Sequence, residues 1–100
     1  MEKGRGNEPL YVISVAARML DVHAQTLRYY ERAGLVEPFR SKGNVRIYSP
    51  RDIQHIRLIK RLIHELGVNL AGVDVILRLL RQIGDFERMV AKLQDENHRI

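Results

Sequence analysis

SVAARMLDVHAQTLRYYERAGLVEPFRSKGNVRIY, residues 14–48, decides the fold of this 100-residue chain. It opens on a short apolar stripe of Val15, Ala16, Met19 and Leu20. Ser14 in front of that stripe is a good N-cap, since its hydroxyl can accept from an unpaired amide of the first helical turn. Asp21 and Val22 break the stripe. The next segment, Ala24 to Ala33, sets Leu27 and Tyr30 on one helical face and Gln25, Arg28, Tyr29 and Arg32 on the opposite one. Gly34 then stands where a left-handed C-terminal residue is expected. Small Ala17 at the crossing of the two helices, Asp21 in the turn and aliphatic Leu27 anchoring the second helix to the first give helix-turn-helix spacing.

After Val36 the period changes. Pro38, Phe39 and Arg40 lead through Ser41, Lys42, Gly43 and Asn44 into the alternating run Val45, Arg46, Ile47, Tyr48, which predicts a β-hairpin with a basic tip. Period-two geometry puts Val45 and Ile47 towards the core and Arg46 and Tyr48 outwards. Ser49 caps the following helix, Pro50 suits its first position, and Asp52 can reach back to the cap amide. The stripe Ile53, Ile56, Ile59, Leu62, Ile63, Leu66 carries that helix to Gly67. Asn69 can cap a further helix bearing Leu70, Val73, Ile76, Leu77 and Leu80, which Gly84 and Asp85 are expected to end. A last segment spaces Phe86, Met89, Leu93 and Ile100 by threes and fours, with Glu96 in the remaining seam position. A lone helix of about 15 residues is marginal in water unless it packs on something, so this segment suits dimerisation or intramolecular packing.

Composition narrows the function. The chain is 45% hydrophobic and 29% charged, with no window approaching the roughly 20 apolar residues of a membrane span. Its polar start, Met1 to Asn7, has no apolar segment behind it and is expected to be a loose tail rather than a secretory or transit signal, in a cytoplasmic protein. Zero cysteines remove disulfide scaffolds, thiolate metal sites and cysteine nucleophiles together. The four histidines lack zinc-site spacing, and no phosphate loop, nucleophile elbow or catalytic carboxylate pair is present, so neither an enzyme nor a cofactor is expected. The net charge of +5 is uneven: residues 11–61 carry ten Lys or Arg against four Asp or Glu, and residues 62–100 five against six. One part is suited to a polyanion and the other to different work.

The outer face of the second helix has the chemistry of a groove reader. His23, Ala24, Gln25, Arg28, Tyr29 and Arg32 share it; Gln25 can take adenine bidentately, Arg28 guanine or a phosphate, and Thr26 and Tyr29 can donate to phosphate oxygens. Arg40, Lys42 and Arg46 in the hairpin directly after it make that hairpin a wing. Helix and wing together predict a winged helix that reads DNA. The competing reading is a protein-interaction module, in which the apolar last helices dock a partner and the basic part is solvated surface.

The run QTLRYYERAGLVEP, then the wing, RIYSPRDI and LGVNLAGV, resembles the MerR-type transcriptional regulators from Tyr11 to about Leu80. Within that family YVISVAA, VHAQTLR and GVNLAGV most resemble the HspR-type heat-shock repressors; SKGN and GVNLAGV are also similar to the GlnR-type nitrogen regulators. The resemblance implies a mostly α fold: a winged helix-turn-helix with a small β-hairpin wing, a helical pair and a C-terminal dimerisation helix. The expected organisation is a tail over 1–10, a DNA-binding domain over 11–83 and a dimerisation helix over 84–100, shorter than the family usually shows. It implies a homodimer on an inverted repeat of double-stranded DNA, with a DnaK-type chaperone as co-repressor. Matched to the family motif, Thr26, Arg28, Tyr29 and Arg46 are DNA contacts, with Arg18, Arg40 and Lys42 on phosphates. Phe86, Met89, Val90, Leu93 and Ile100 are the candidate dimer seam.

Overall fold

Tyr11 and Val12 form a strand too short to announce itself by alternation, and its partner is thirty-odd residues away. In the computed structural model, which describes residues 8–98, this β1 (Tyr11–Val12) pairs antiparallel with β3 (Arg46–Tyr48), placing Tyr11 opposite Tyr48. On its other side β3 pairs with β2 (Phe39–Arg40), so the sheet order is β1-β3-β2. The hairpin wing is therefore two strands of a three-stranded sheet. The expected start tail over residues 1–7 and Ile100 of the expected seam lie outside the described residues.

Helix α1 (Ile13–Leu20) follows β1 without a gap, and this moves its start. Its N-cap is Val12, with no side-chain cap bond, and Ser14 lies exposed inside the first turn. The Ser14 cap is thus overturned: pairing of β1 to β3 delivers the chain into the helix earlier than the side-chain signal indicates. Asp21 ends α1 in the left-handed region at φ 55°, with the Val22 amide donating to the Ala17 carbonyl at 3.0 Å. A non-glycine residue there costs roughly 1 kcal/mol. Lys60, about forty residues further along the chain, donates through Nζ to the carbonyls of Leu20 at 2.8 Å and Asp21 at 3.3 Å, supplying a cation where a helix C-terminus favours one.

Helix α2 (Ala24–Arg32) buries Leu27 and Tyr30, the two residues its periodicity assigns inwards. Gly34 closes it at φ +79°, with the Leu35 amide reaching back to the Tyr30 carbonyl at 3.0 Å. Helix α3 (Pro50–His64) starts at the capping box read from the sequence: the Asp52 amide donates to Ser49 Oγ and the Ser49 amide to Asp52 Oδ2. It buries Ile53, Ile56, Ile59 and Leu62 and packs on α1 and β3, so the core of this unit lies between α1, α2, α3 and the sheet. His55 ties α3 to the segment after α2 by donating from Nε2 to the Leu35 carbonyl at 3.0 Å. Gly67, at φ +69°, follows the helix as expected, although Leu66 is exposed.

The strand parity read from the hairpin is reversed. Tyr48 is fully buried and Arg46 half-buried, whereas Val45 is 46% exposed and Ile47 only half-buried. The face shared by Arg46 and Tyr48 is the inward one. A charged residue can take that face because a carboxylate on α2 meets it.

The chain divides into two compact units at Val68 and Asn69. The second consists of α4 (Leu70–His98), 29 residues without interruption, so the expected break at Gly84 and Asp85 is absent. Asn69 caps it, its Oδ1 accepting from the Gly72 amide at 2.8 Å. One glycine in a long helix costs roughly 1 kcal/mol, too little to end it. Within α4, Val73 and Leu77 are buried, and Leu79, Leu80, Ile83, Phe86, Met89 and Leu93 are exposed.

A candidate nucleic-acid interface

The α1–α2 turn determines which side of α2 remains open. With Leu27 and Tyr30 committed to the core, Gln25 and Tyr29 are exposed and Thr26 and Arg28 half-buried. Arg28 Nη1 donates to Gln25 Oε1 at 3.0 Å, a pair one turn apart on the helix surface. Arg32 lies over the Tyr29 ring at 6.0 Å from its centroid, the outer limit of a cation–π contact. His23 is the extended N-cap residue of α2 with its side chain exposed; it lines a shallow depression at the turn together with Arg18.

The wing residues divide into those tied to α2 and those that are not. Arg40 and Arg46 are directly opposed across the β2–β3 pair. Like charges in that position destabilise a sheet. Glu31, in the last turn of α2, resolves the conflict: Oε1 accepts from Arg46 Nε at 2.6 Å and Oε2 from Arg40 Nη2 at 2.9 Å. The hydrogen bond from Arg46 holds the Glu31 carboxyl below its ordinary range; partial burial opposes this, and Arg40 adds to the lowering. Arg40 also donates to the Asn44 carbonyl at 3.3 Å, and Asn44 takes the left-handed conformation at the turn. Lys42 is exposed at the tip.

Thus Arg40 and Arg46 are brought to the helix bearing Gln25, Thr26, Arg28 and Tyr29, while Arg18 and His23 lie at the opposite, N-terminal end of that helix. Sequence reasoning passed over Glu31 and Lys60. The signal for Glu31 was available: two arginines at facing hairpin positions require a counter-ion, and the only acidic residue within α2 is Glu31. Lys60 carried no such signal, because its partners are carbonyls about forty residues away.

Burial raises the phenols of Tyr30 and Tyr48, which keeps both neutral. No group of three or more potential metal ligands occurs among the described residues. None of the described helices is long and apolar enough to cross a membrane. Of the seam candidates, Phe86, Met89 and Leu93 are exposed and Val90 is half-buried.

The sequence profile of the MerR HTH family regulatory proteins matches residues 11–80. The chain is 46% identical over 85 residues to a Streptomyces coelicolor protein described as heat shock protein HspR, covering 85% of this chain and 56% of that one. It is 36% identical over 77 residues to the transcriptional regulator GlnR of Bacillus anthracis, covering 77% and 59%. The chain therefore spans somewhat over half the length of these relatives. A MerR-family transcriptional regulator of Bacillus cereus superposes with a TM-score of 0.63 at 30% identity, over 89% of this chain and 72% of that one. The fold is shared also with HiNmlR, a MerR family regulator lacking the sensor domain and solved bound to promoter DNA, at a TM-score of 0.64, 22% identity, and coverage of 86% and 76%. With a helix-turn-helix, an arginine-bearing wing and a profile match over most of its length, the chain belongs to the MerR HTH family.

Proposed function

We propose that the chain is a sequence-specific DNA-binding transcriptional regulator that acts in the cytoplasm, as a homodimer on an inverted-repeat operator, and represses heat-shock genes. The observation that carries the reading is the joining of the exposed polar face of α2 to Arg40 and Arg46 of the wing through Glu31. The helix supplies base-edge chemistry in Gln25 and Arg28, and the wing supplies cations for phosphate. Each protomer sets α2 in a major groove and its wing along the adjacent backbone. Thr26, Tyr29, Arg18, His23 and Lys42 complete the contact set.

Dimerisation is assigned to α4, where Phe86, Met89 and Leu93 are exposed and Val90 half-buried, with Ile100 continuing the seam in sequence. The heat-shock reading rests on the 46% identity to HspR, against 36% to GlnR. A DnaK-type chaperone as co-repressor follows from that likeness alone, and no residue is assigned to it.

Selection of bound duplexes from a random pool tests the whole reading. An enriched inverted repeat is expected, and its half-site spacing reports the dimer geometry. Equal binding to every duplex overturns the specific regulator and leaves a basic surface. Recovery of nitrogen-gene promoter sequences in place of heat-shock ones replaces the HspR-type reading with the GlnR-type one.

A further inference from the structure

An acidic residue on a surface meant for a polyanion is a contradiction unless it performs work there. Glu31 lies on the helix that bears Gln25 and Arg28, and it is 23% exposed at the side chain, with Arg46 at 24% and Arg40 at 36%. Both of its oxygens are engaged, each by an arginine from a different strand of the wing. The arrangement retains one net positive charge, so the surface still attracts phosphate. It uses Nε of Arg46, and neither Nη of Arg46 has a partner among the described residues.

We propose that Glu31 is a positioning residue: its single carboxylate clamps both strands of the wing to the last turn of α2, so that recognition helix and wing meet the duplex as one rigid surface with the Arg46 terminal nitrogens aimed at phosphate. Glu31 itself touches no DNA. The inference rests on the DNA-binding reading above. The geometry supports the clamp independently, because the directly opposed Arg40 and Arg46 repel one another when the carboxylate is absent. Releasing the clamp therefore does more than loosen one bond; it drives the two guanidinium groups apart and distorts the wing that carries them.

Charge alone and positioning predict opposite signs for the loss of Glu31. Removing a carboxylate makes the surface more positive, which on the counterion-release argument tightens binding to any duplex. Positioning predicts weaker binding to the preferred duplex and no loss on a random one. The test uses the full chain and its Glu31→Ala and Glu31→Gln variants. The probes are the duplex that the wild-type chain enriches from a random pool and an unselected duplex of equal length, titrated at the same salt concentration. For Glu31→Ala the affinity for the enriched duplex is expected to fall about tenfold, the scale of one lost specific contact, with random-duplex affinity unchanged or higher. Glu31→Gln preserves shape and one acceptor oxygen, and is expected to lose part of the same ratio. It also guards against a folding defect in the alanine variant.

In the DNA-free protein, the Arg46 Nε–H exchanges slowly with solvent when clamped and is expected to exchange rapidly in Glu31→Ala. A specificity ratio that is unchanged or raised in both variants overturns the proposal, as does equal Nε–H exchange with and without the carboxylate. If the wild-type chain enriches no duplex at all, the regulator reading fails, and the exchange measurement still decides whether the clamp exists.

Discussion

Arg28 and Arg46 are both proposed DNA contacts, yet their replacement is expected to behave differently because their surroundings do. Arg28 meets Gln25 in an exposed pair on its own helix, so Arg28→Ala should leave thermal stability within about 0.5 kcal/mol of wild type. Its effect belongs to binding, at roughly 1 to 3 kcal/mol if it reads a base. Arg46→Ala also removes one of the two partners of a half-buried carboxylate, so both affinity and melting temperature should drop, the stability by about 1 kcal/mol. Denaturation and duplex titration on the two variants separate these outcomes; equal stability in both would show that the clamp contributes nothing to folding. Acid supplies a second measurement. Glu31 has a folded-state pKa below its ordinary value of 4.5, so its contribution to stability is fully present above the unfolded value and is lost as pH falls through the lowered one. The stability gap between wild type and Glu31→Gln should accordingly be constant near neutrality and close only in acid below the usual carboxylate range. A gap that closes around pH 6 to 7 would point to a histidine instead.

Local chemistry explains which elements the sequence disclosed. The Ser49, Pro50 and Asp52 start of α3, the glycine after α2 and the inward Leu27 and Tyr30 each depend on neighbours within a few residues, and each stands where its pattern places it. Two of the misreadings depend on partners far along the chain. Ser14 is displaced from its capping role by a two-residue strand whose existence requires β3. The parity of β3 is inverted because Glu31, fifteen residues away, makes an inward arginine acceptable. Of the candidate interface, the residues of α2 could be assigned from periodicity and those of the wing from charge, whereas the carboxylate joining them required the pairing register. Gly84 illustrates the opposite error, a local breaker overruled by a long helix. A Cβ there would meet only Arg88 Nη1 at 3.6 Å, an ordinary contact with a flexible side chain. Gly84→Ala should therefore raise the stability of α4 by roughly 0.5 to 1 kcal/mol, visible as greater helicity on thermal melting. A loss of helicity would mean that the chain needs glycine's freedom at that point.

Over the whole molecule, the excess of cations falls within the first unit, whereas exposed large hydrophobics occur in both units and those of the second all lie along one helix. Residues 11–61 carry ten Lys or Arg against four Asp or Glu, with exposed hydrophobics scattered among them; in α4 the exposed hydrophobics instead recur along a single helix. Because α4 is one helix, Leu79, Ile83, Phe86, Val90 and Leu93 recur at spacings of four and three, a stripe longer than the one the sequence assigned after Gly84. A stripe at that spacing is suited to the seam of a helix pair, the role proposed for it above. Phe86 is 64% exposed, so Phe86→Lys removes no core contact within the chain and places a charge in the proposed seam. The variant should sediment as a monomer at concentrations where wild type is a dimer, with the first unit melting unchanged. Its effect on DNA follows from linkage: two half-sites bound by one dimer gain from effective concentration, and a monomer loses that gain, so affinity for the inverted repeat should fall by roughly 100-fold or more. Affinity for a single half-site should stay as it was, since α2 and the wing are untouched. The salt dependence then checks the same claim from the electrostatic side, because the slope of log affinity against log salt is about −0.9 per phosphate contact and should halve when one protomer binds in place of two. A Phe86→Lys chain that remains dimeric, with an undiminished slope on the inverted repeat, would remove α4 from the seam and require another surface to pair the protomers.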